Sequence, residues 1–218
     1  MKILLSGLYR TGNNWLIFLL ENNFSNITLK QTHFFSPDIE GFYSNFDLCI
    51  LIYKNPYNWV NSIIKQSWDM PFYYDLEPTK DCYRIDISVE YPTEKIKQKS
   101  VKKTHTISLQ KLINCYNNYF YYWTNQALTN KNRKYIFVQY EDILTNPERF
   151  VHILSSKTGL EKKSIFKDSD SVMNSRDWKS NKKNIYLNPP IIDKKILPII
   201  NKSLDADVMK LLGFQYLN

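Results

Sequence analysis

Short apolar runs alternate with longer amphipathic stretches along this chain of 218 residues. Ile3 to Leu5 form a continuous apolar run closed by Ser6-Gly7, the pattern of a buried parallel strand. The next stretch carries Trp15, Leu16, Phe18, Leu19 and Leu20 before Asn22-Asn23 and predicts a helix. A second strand is predicted from Ile27 to His33, where Ile27, Leu29 and Gln31 alternate with Thr28, Lys30 and Thr32. A third is predicted from Leu48 to Tyr53. Pro56 then stands at the first position of a helix, with Asn55 as its cap and Val60, Ile63 and Ile64 on its inner face.

From about Trp68 to Thr104 this periodicity dissolves among Pro71, Pro78, Pro92, acids, tyrosines and lysines, and we read the segment as an irregular insertion or lid. A helix resumes near Ser108, with Leu109, Leu112, Ile113, Tyr116, Phe120, Trp123 and Ala127 at spacings of three and four, a stripe that belongs in a core. Tyr135 to Tyr140 predicts a strand, Pro147 opens a helix through Leu154, and Gly159 closes it. The last helix is expected from Asp193 to Leu212, broken at Pro198 and stopped by Gly213. Strands alternating with helices predict an α/β fold. The whole chain, residues 1–218, reads as a single domain with a mainly parallel β-sheet, helices on both faces and ligands at the carboxyl ends of the strands.

Composition narrows the function. Hydrophobic residues make up 43% and aromatics 15%, too much apolar surface for a disordered chain. The formal charge of +8 favours an anionic partner, yet Lys95, Lys97, Lys99, Lys102 and Lys103 and the pairs at 162–163, 182–183 and 194–195 read as solvated surface, not as a nucleic-acid site. Cys49, Cys82 and Cys115 are odd in number and far apart, which points away from zinc and disulfides and towards a reducing, cytoplasmic setting. The first residues do not form a signal segment, and no apolar run reaches the roughly 18 residues of a membrane span, so a soluble protein is expected.

The chemistry is carried by strand ends. Gly7 to Trp15, G-L-Y-R-T-G-N-N-W, joins the first strand to the first helix. A glycine-bearing turn there lets backbone N–H groups and the helix N-terminus surround a phosphate. A nucleoside-triphosphate loop would place Lys and Ser/Thr after the second glycine, one for phosphate and one for Mg²⁺. Those places are Asn13 and Asn14, so no metal is expected.

Arg10-Thr11-Gly12 followed by Trp15 resembles the 5′-phosphosulfate-binding loop of the sulfotransferases that use 3′-phosphoadenosine-5′-phosphosulfate (PAPS), with Asn13 and Asn14 in place of the family's Ser/Thr. Leu51 to Pro56 with Ser62 resembles the family's 3′-phosphate motif, in which a serine lies eight residues beyond a strand-end arginine; here Lys54 holds the arginine's place. Lys30-Gln31-Thr32-His33 is similar to the Lys-Thr-His that supplies the catalytic histidine, with Gln31 where the family has lysine. Val138 to Ile143 is similar to its Tyr-Glu-Asp strand end, whose tyrosine lies near the adenine, which would make Tyr140 a cofactor residue. Arg176-Asp177-Trp178-Lys179 keeps Asp-Trp-Lys of a loop over the 3′-phosphate, and Asn201 to Phe214 resembles the closing helix. The resemblance covers most of residues 3–66 and 108–214.

This resemblance implies a short, bacterial-type member with a P-loop-like sulfotransferase fold. It implies transfer of a sulfuryl group from PAPS to a hydroxyl or amine of a small molecule or glycan, leaving 3′-phosphoadenosine-5′-phosphate (PAP), without metal. Arg10 and His33 would be catalytic, His33 as general base. Thr11, Gly12, Asn13, Asn14, Trp15, Lys54, Ser62, Tyr140, Arg176 and Lys179 would join Arg10 in holding the nucleotide. His105 and His152 are weaker candidates for the base, and Asp38, Glu40 and Glu77 are the carboxylates that could replace it. Phe72, Tyr73, Tyr74 and Tyr83 beside lysines suit a sugar acceptor. The alternatives are a P-loop kinase and a non-catalytic nucleotide-binding relative.

Overall fold

A computed structural model of the chain describes residues 1–33, 46–65, 67–68, 75–91, 101–168 and 191–217. Arg176, Lys179, Asp38, Glu40, Lys95, Lys97, Lys99 and the aromatic run 72–74 lie outside the described residues. The described residues fall into two units, those within 1–55 and 123–189 and those within 56–122 and 190–218.

The first unit is built on four parallel strands, β1 (Lys2–Gly7), β2 (Thr28–Thr32), β3 (Leu48–Tyr53) and β7 (Lys134–Gln139), in the order β2-β1-β3-β7. All six residues of β3 are buried, as a parallel strand covered on both faces requires. Helix α1 (Asn13–Asn23) follows β1, and α4 (Tyr140–Thr145) and α5 (Pro147–Thr158) follow β7. Ile3, Leu5, Ile50 and Ile52 of the sheet share one core with Trp15, Leu16, Leu19, Ile143, Val151 and Leu154. Pro147 occupies the first turn of α5, capped by the Asn146 side chain, which accepts from Arg149 N–H, and Gly159 closes it at φ 74°. An α/β architecture with a parallel sheet flanked by helices is therefore what the apolar pattern encodes.

The second unit differs from the expected irregular insertion. β5 (Arg84–Tyr91) lies within that stretch and β6 (Val101–Ser108) begins in it, the two forming an antiparallel pair, with β4 (Ser67–Trp68) parallel to β5. Strict alternation explains β5: Ile85, Ile87 and Val89 are buried, while the residues between them are not. Helix α2 (Pro56–Lys65) contributes Tyr57, Trp59, Val60 and Ile63 to the buried set, and α3 (Leu109–Thr129) contributes Leu112, Ile113, Tyr116 and Phe120. Tyr116 packs 5.3 Å from Trp59 and 4.9 Å from Phe120, ring centre to ring centre.

The last helix also departs from expectation. It is two helices, α6 (Leu197–Ser203) and α7 (Ala206–Leu212), and the break falls at Leu204-Asp205, not at Pro198. Proline is compatible with a first turn, where its missing N–H costs nothing, and Pro198 sits there. Asp205 instead starts a new helix, its carboxylate accepting from Asp207 and Val208 N–H. Gly213 ends α7 at φ 70°, as anticipated.

Candidate functional site

In the first unit β2 and β3 lie on opposite sides of β1, so the strand order reverses at β1. Ligands of open α/β sheets bind outside the carboxyl ends at such a point. Register places the sequence candidates there. Ser6 pairs with Thr32 and Gly7 with Ile52, so His33 lies one residue beyond β2 level with Gly7, and Lys54 stands two residues beyond Ile52.

The loop between β1 and α1 is tightly closed. Thr11 N–H and Thr11 Oγ1 both donate to the Leu8 carbonyl, at 3.2 and 2.6 Å, and Leu8 is fully buried. Arg10 adopts φ 69° and Gly12 φ 99°; the first is a left-handed conformation uncommon for a side chain larger than Asn. Gly7 is required by contact: a Cβ there would lie 2.5 Å from Thr11 Oγ1 and 2.6 Å from Ile52 Cγ2. Gly12 is the N-cap of α1, so no side chain caps this helix, and its first turn holds no acid. The positive end of the helix dipole is left for something else.

Side chains expected to bind a nucleotide differ in where they point and how far they are buried. Thr11 and Asn13 are buried and turn into the loop, Asn13 Nδ2 donating to the Gly7 carbonyl at 3.1 Å. Trp15 and Tyr140 are core residues, their rings edge-to-face with centres 5.8 Å apart. Arg10 is half-buried, and its Nε is buried with no hydrogen-bond partner among the described residues. Asn14 is exposed. Lys54 is buried, its Nζ 4.6 Å from the centre of the Tyr140 ring.

His33 sits at the centre of a polar cluster. Its Nδ1 lies 2.8 Å from Asn13 Nδ2 and 3.2 Å from the Gly7 carbonyl, and its Nε2 lies 2.7 Å from Gln31 Nε2. Gln31 Nε2 is also 3.3 Å from Asn14 Oδ1. The Tyr9 ring packs on the imidazole at 4.7 Å. Burial pushes the His33 pKa below its usual 6.5, with the Gly7 carbonyl acting weakly the other way, so the ring is neutral at pH 7. Burial likewise pushes the Tyr9 phenol up.

Three residues of this rim lie inside the motif segments, which assign them no role. Glu141 is buried, and its carboxylate accepts from Asn55 N–H at 3.1 and 3.2 Å, which holds the turn after Lys54. Burial, helped by the nearby charges of Asp142 and Glu141, pushes the Tyr53 phenol pKa up to about 12. Tyr9 is the third; only its place inside the loop could have marked it. The remaining described candidates have partners of their own. Ser62 belongs to the second unit, where its hydroxyl donates to the Asn58 carbonyl at 2.8 Å. His105 contacts the Tyr91 hydroxyl on the β5–β6 pair, and exposed His152 lies 3.1 Å from Lys162 Nζ. Glu77 is exposed, its carbonyl accepting from Lys111 Nζ at 2.9 Å.

Comparison with protein-family models, with curated proteins and with solved structures gives no match for this chain. Among the described residues no cluster of His, Cys, Asp and Glu could hold a metal ion, and no helix is long and apolar enough to cross a membrane.

Proposed function

We propose that this chain is a sulfotransferase that takes its sulfuryl group from PAPS. The observation that carries the reading is the convergence of the Gly7–Gly12 loop, His33 and Lys54 on the carboxyl ends of three adjacent parallel strands, at the reversal of strand order. The residues fit an anionic nucleotide. Arg10 offers a buried Nε donor that no described residue satisfies, and a buried donor left unmet costs about 1–3 kcal/mol. The uncapped N-terminus of α1 adds backbone N–H groups beside it.

In this reading Arg10 and the loop amides hold the 5′-phosphosulfate, and Lys54 faces the 3′-phosphate as a point charge steadied by the Tyr140 ring. Thr11 and Asn13 act indirectly, by closing the loop on Leu8 and Gly7. When bound, PAPS supplies a sulfuryl group already activated as a mixed anhydride. The acceptor atom bonds to sulfur as the bond from sulfur to the 5′-phosphate oxygen breaks, and the acceptor's proton passes to solvent, so that the protein has to align the acceptor and stabilise charge, the terms that dominate related transfers. The acceptor is a hydroxyl or amine on a small molecule or glycan. Asn13 and Asn14, where Mg²⁺ chemistry wants Lys and Ser/Thr, disfavour a kinase.

Calorimetry with PAP, followed by PAPS turnover with a mixed set of phenol, sugar and amine acceptors with and without EDTA, tests the proposal. PAP binding and EDTA-resistant turnover are expected. PAP binding without any turnover would make the chain a non-catalytic relative. No PAP binding, or turnover that EDTA abolishes and Mg²⁺ restores, would overturn the reading.

A further inference from the structure

We infer that Asn13 is a positioning residue for His33, its amide fixing the neutral imidazole with the proton on Nε2. Both ring nitrogens face an amide nitrogen, Asn13 Nδ2 at 2.8 Å from Nδ1 and Gln31 Nε2 at 2.7 Å from Nε2. A neutral imidazole has one acceptor nitrogen, so it cannot accept from both amides. One of the two must present its oxygen instead, and their other hydrogen bonds decide which.

Asn13 cannot turn over. Its Nδ2 also donates to the Gly7 carbonyl at 3.1 Å, and a flipped amide would press Oδ1 against that oxygen. The side chain is buried, with Thr11 beside Oδ1, so a rotation has no room to be relieved by solvent. Gln31 can turn. Its other partner is Asn14 Oδ1 at 3.3 Å, and Asn14 is exposed and free to rotate its own amide in concert. The consistent network therefore has Asn13 donating one hydrogen to Gly7 and the other to His33 Nδ1, while His33 Nε2–H donates to Gln31 Oε1.

This assignment changes what the histidine can do. The lone pair that could take a proton lies on Nδ1, enclosed by Asn13 and Gly7, while Nε2 carries a hydrogen-bond donor. On the sulfuryl-transfer reading, on which this consequence alone rests, His33 Nε2–H leaves Gln31 Oε1 to donate to an oxygen that gains negative charge, and the proton that the acceptor loses passes to solvent and not to His33. The expectation of a general base at this position gives way to an electrostatic role.

The test is a long-range proton–nitrogen NMR correlation of the full chain, uniformly ¹⁵N-labelled, at pH 8. The chain has three histidines, and His33 is assigned by its loss in His33→Gln. Wild type should show a protonated Nε2 and a bare Nδ1. Gln31→Ala should keep that pattern, because Asn13 still donates to Nδ1. Asn13→Ala should move the proton to Nδ1, which then donates to the Gly7 carbonyl. A proton on Nδ1 in wild type, a switch in Gln31→Ala, or an unchanged pattern in a folded Asn13→Ala would each overturn the inference. Should Asn13→Ala not fold, wild type and Gln31→Ala still decide it. Because the measurement needs no nucleotide, failure to bind PAP would sink the functional reading and leave the tautomer standing.

Discussion

The ring of Tyr140 occupies the space a side chain on Gly12 would need, so that a Cβ on Gly12 would collide with Cδ2 and Cε2 of the phenol. Tyr140 opens α4 and is buried against Trp15, so it cannot move aside. Gly12 also has φ 99°. Gly12→Ala should therefore combine left-handed strain with overpacking, each costing about 1–3 kcal/mol. Gly213→Ala is the control: it shares a positive φ, but its Cβ would meet nothing within 4 Å. Urea unfolding should show the Gly12 variant clearly weaker than the Gly213 variant, and equal midpoints would mean that the Tyr140 contact is not rigid.

Two nucleotides separate the roles of Arg10 and Lys54. Arg10→Asn keeps a residue that tolerates the left-handed backbone and removes the cation, so PAP and adenosine-5′-phosphosulfate should weaken together. Lys54→Met keeps the buried chain length and removes the charge. It should weaken PAP by about 1.5–3 kcal/mol, the scale of a hydrogen bond to a charged group, and leave adenosine-5′-phosphosulfate nearly unchanged. Calorimetric titration of both ligands checks this; a Lys54 variant that loses both equally would remove it from the 3′-phosphate.

His33→Ala should lower kcat about 10²–10³-fold, the loss typical of one donor to a developing negative charge, with PAP affinity preserved. A variant that keeps more than about a tenth of the wild-type rate, well above that range, would take His33 out of the chemistry.

Stability should also report His33. Its folded pKa is depressed by burial, so between that value and the unfolded value near 6.5 the unfolded chain binds more protons. The stabilising contribution of the neutral ring is then complete above about pH 6.5 and is lost as pH falls through the folded pKa. Thermal unfolding of wild type and His33→Gln at pH 8 and pH 5 should show wild type losing more stability than the variant on acidification. Parallel losses would indicate an unperturbed histidine.

Much of the fold was legible because it rests on local rules. Ile3–Leu5 and Leu48–Tyr53 read as buried strands from composition alone, and Pro147, Gly159 and Gly213 marked helix ends by backbone preferences that need no neighbours. The β5–β6 pair was missed although Ile85, Ile87 and Val89 alternate, because the surrounding prolines and lysines outweighed a short signal and its partner strand is polar along most of its length. The break at Leu204 is less legible because Pro198 is compatible with a first helical turn, while Asp205 acts as a cap only where its carboxylate meets the Asp207 and Val208 N–H groups.

By itself the sequence determined that Gly7–Gly12, His33 and Lys54 fall at strand ends, since apolar runs and their glycine or proline stops are local properties. Only the tertiary structure decided that β2 and β3 flank β1, which brings those ends together across residues distant in the chain. It also decided that Thr11 and Asn13 turn inward to Leu8, Gly7 and His33, while Arg10 keeps a buried donor unsatisfied among the described residues. A residue type states which hydrogen bonds a side chain can make; which of them it makes depends on the acceptors that folding places within about 3 Å.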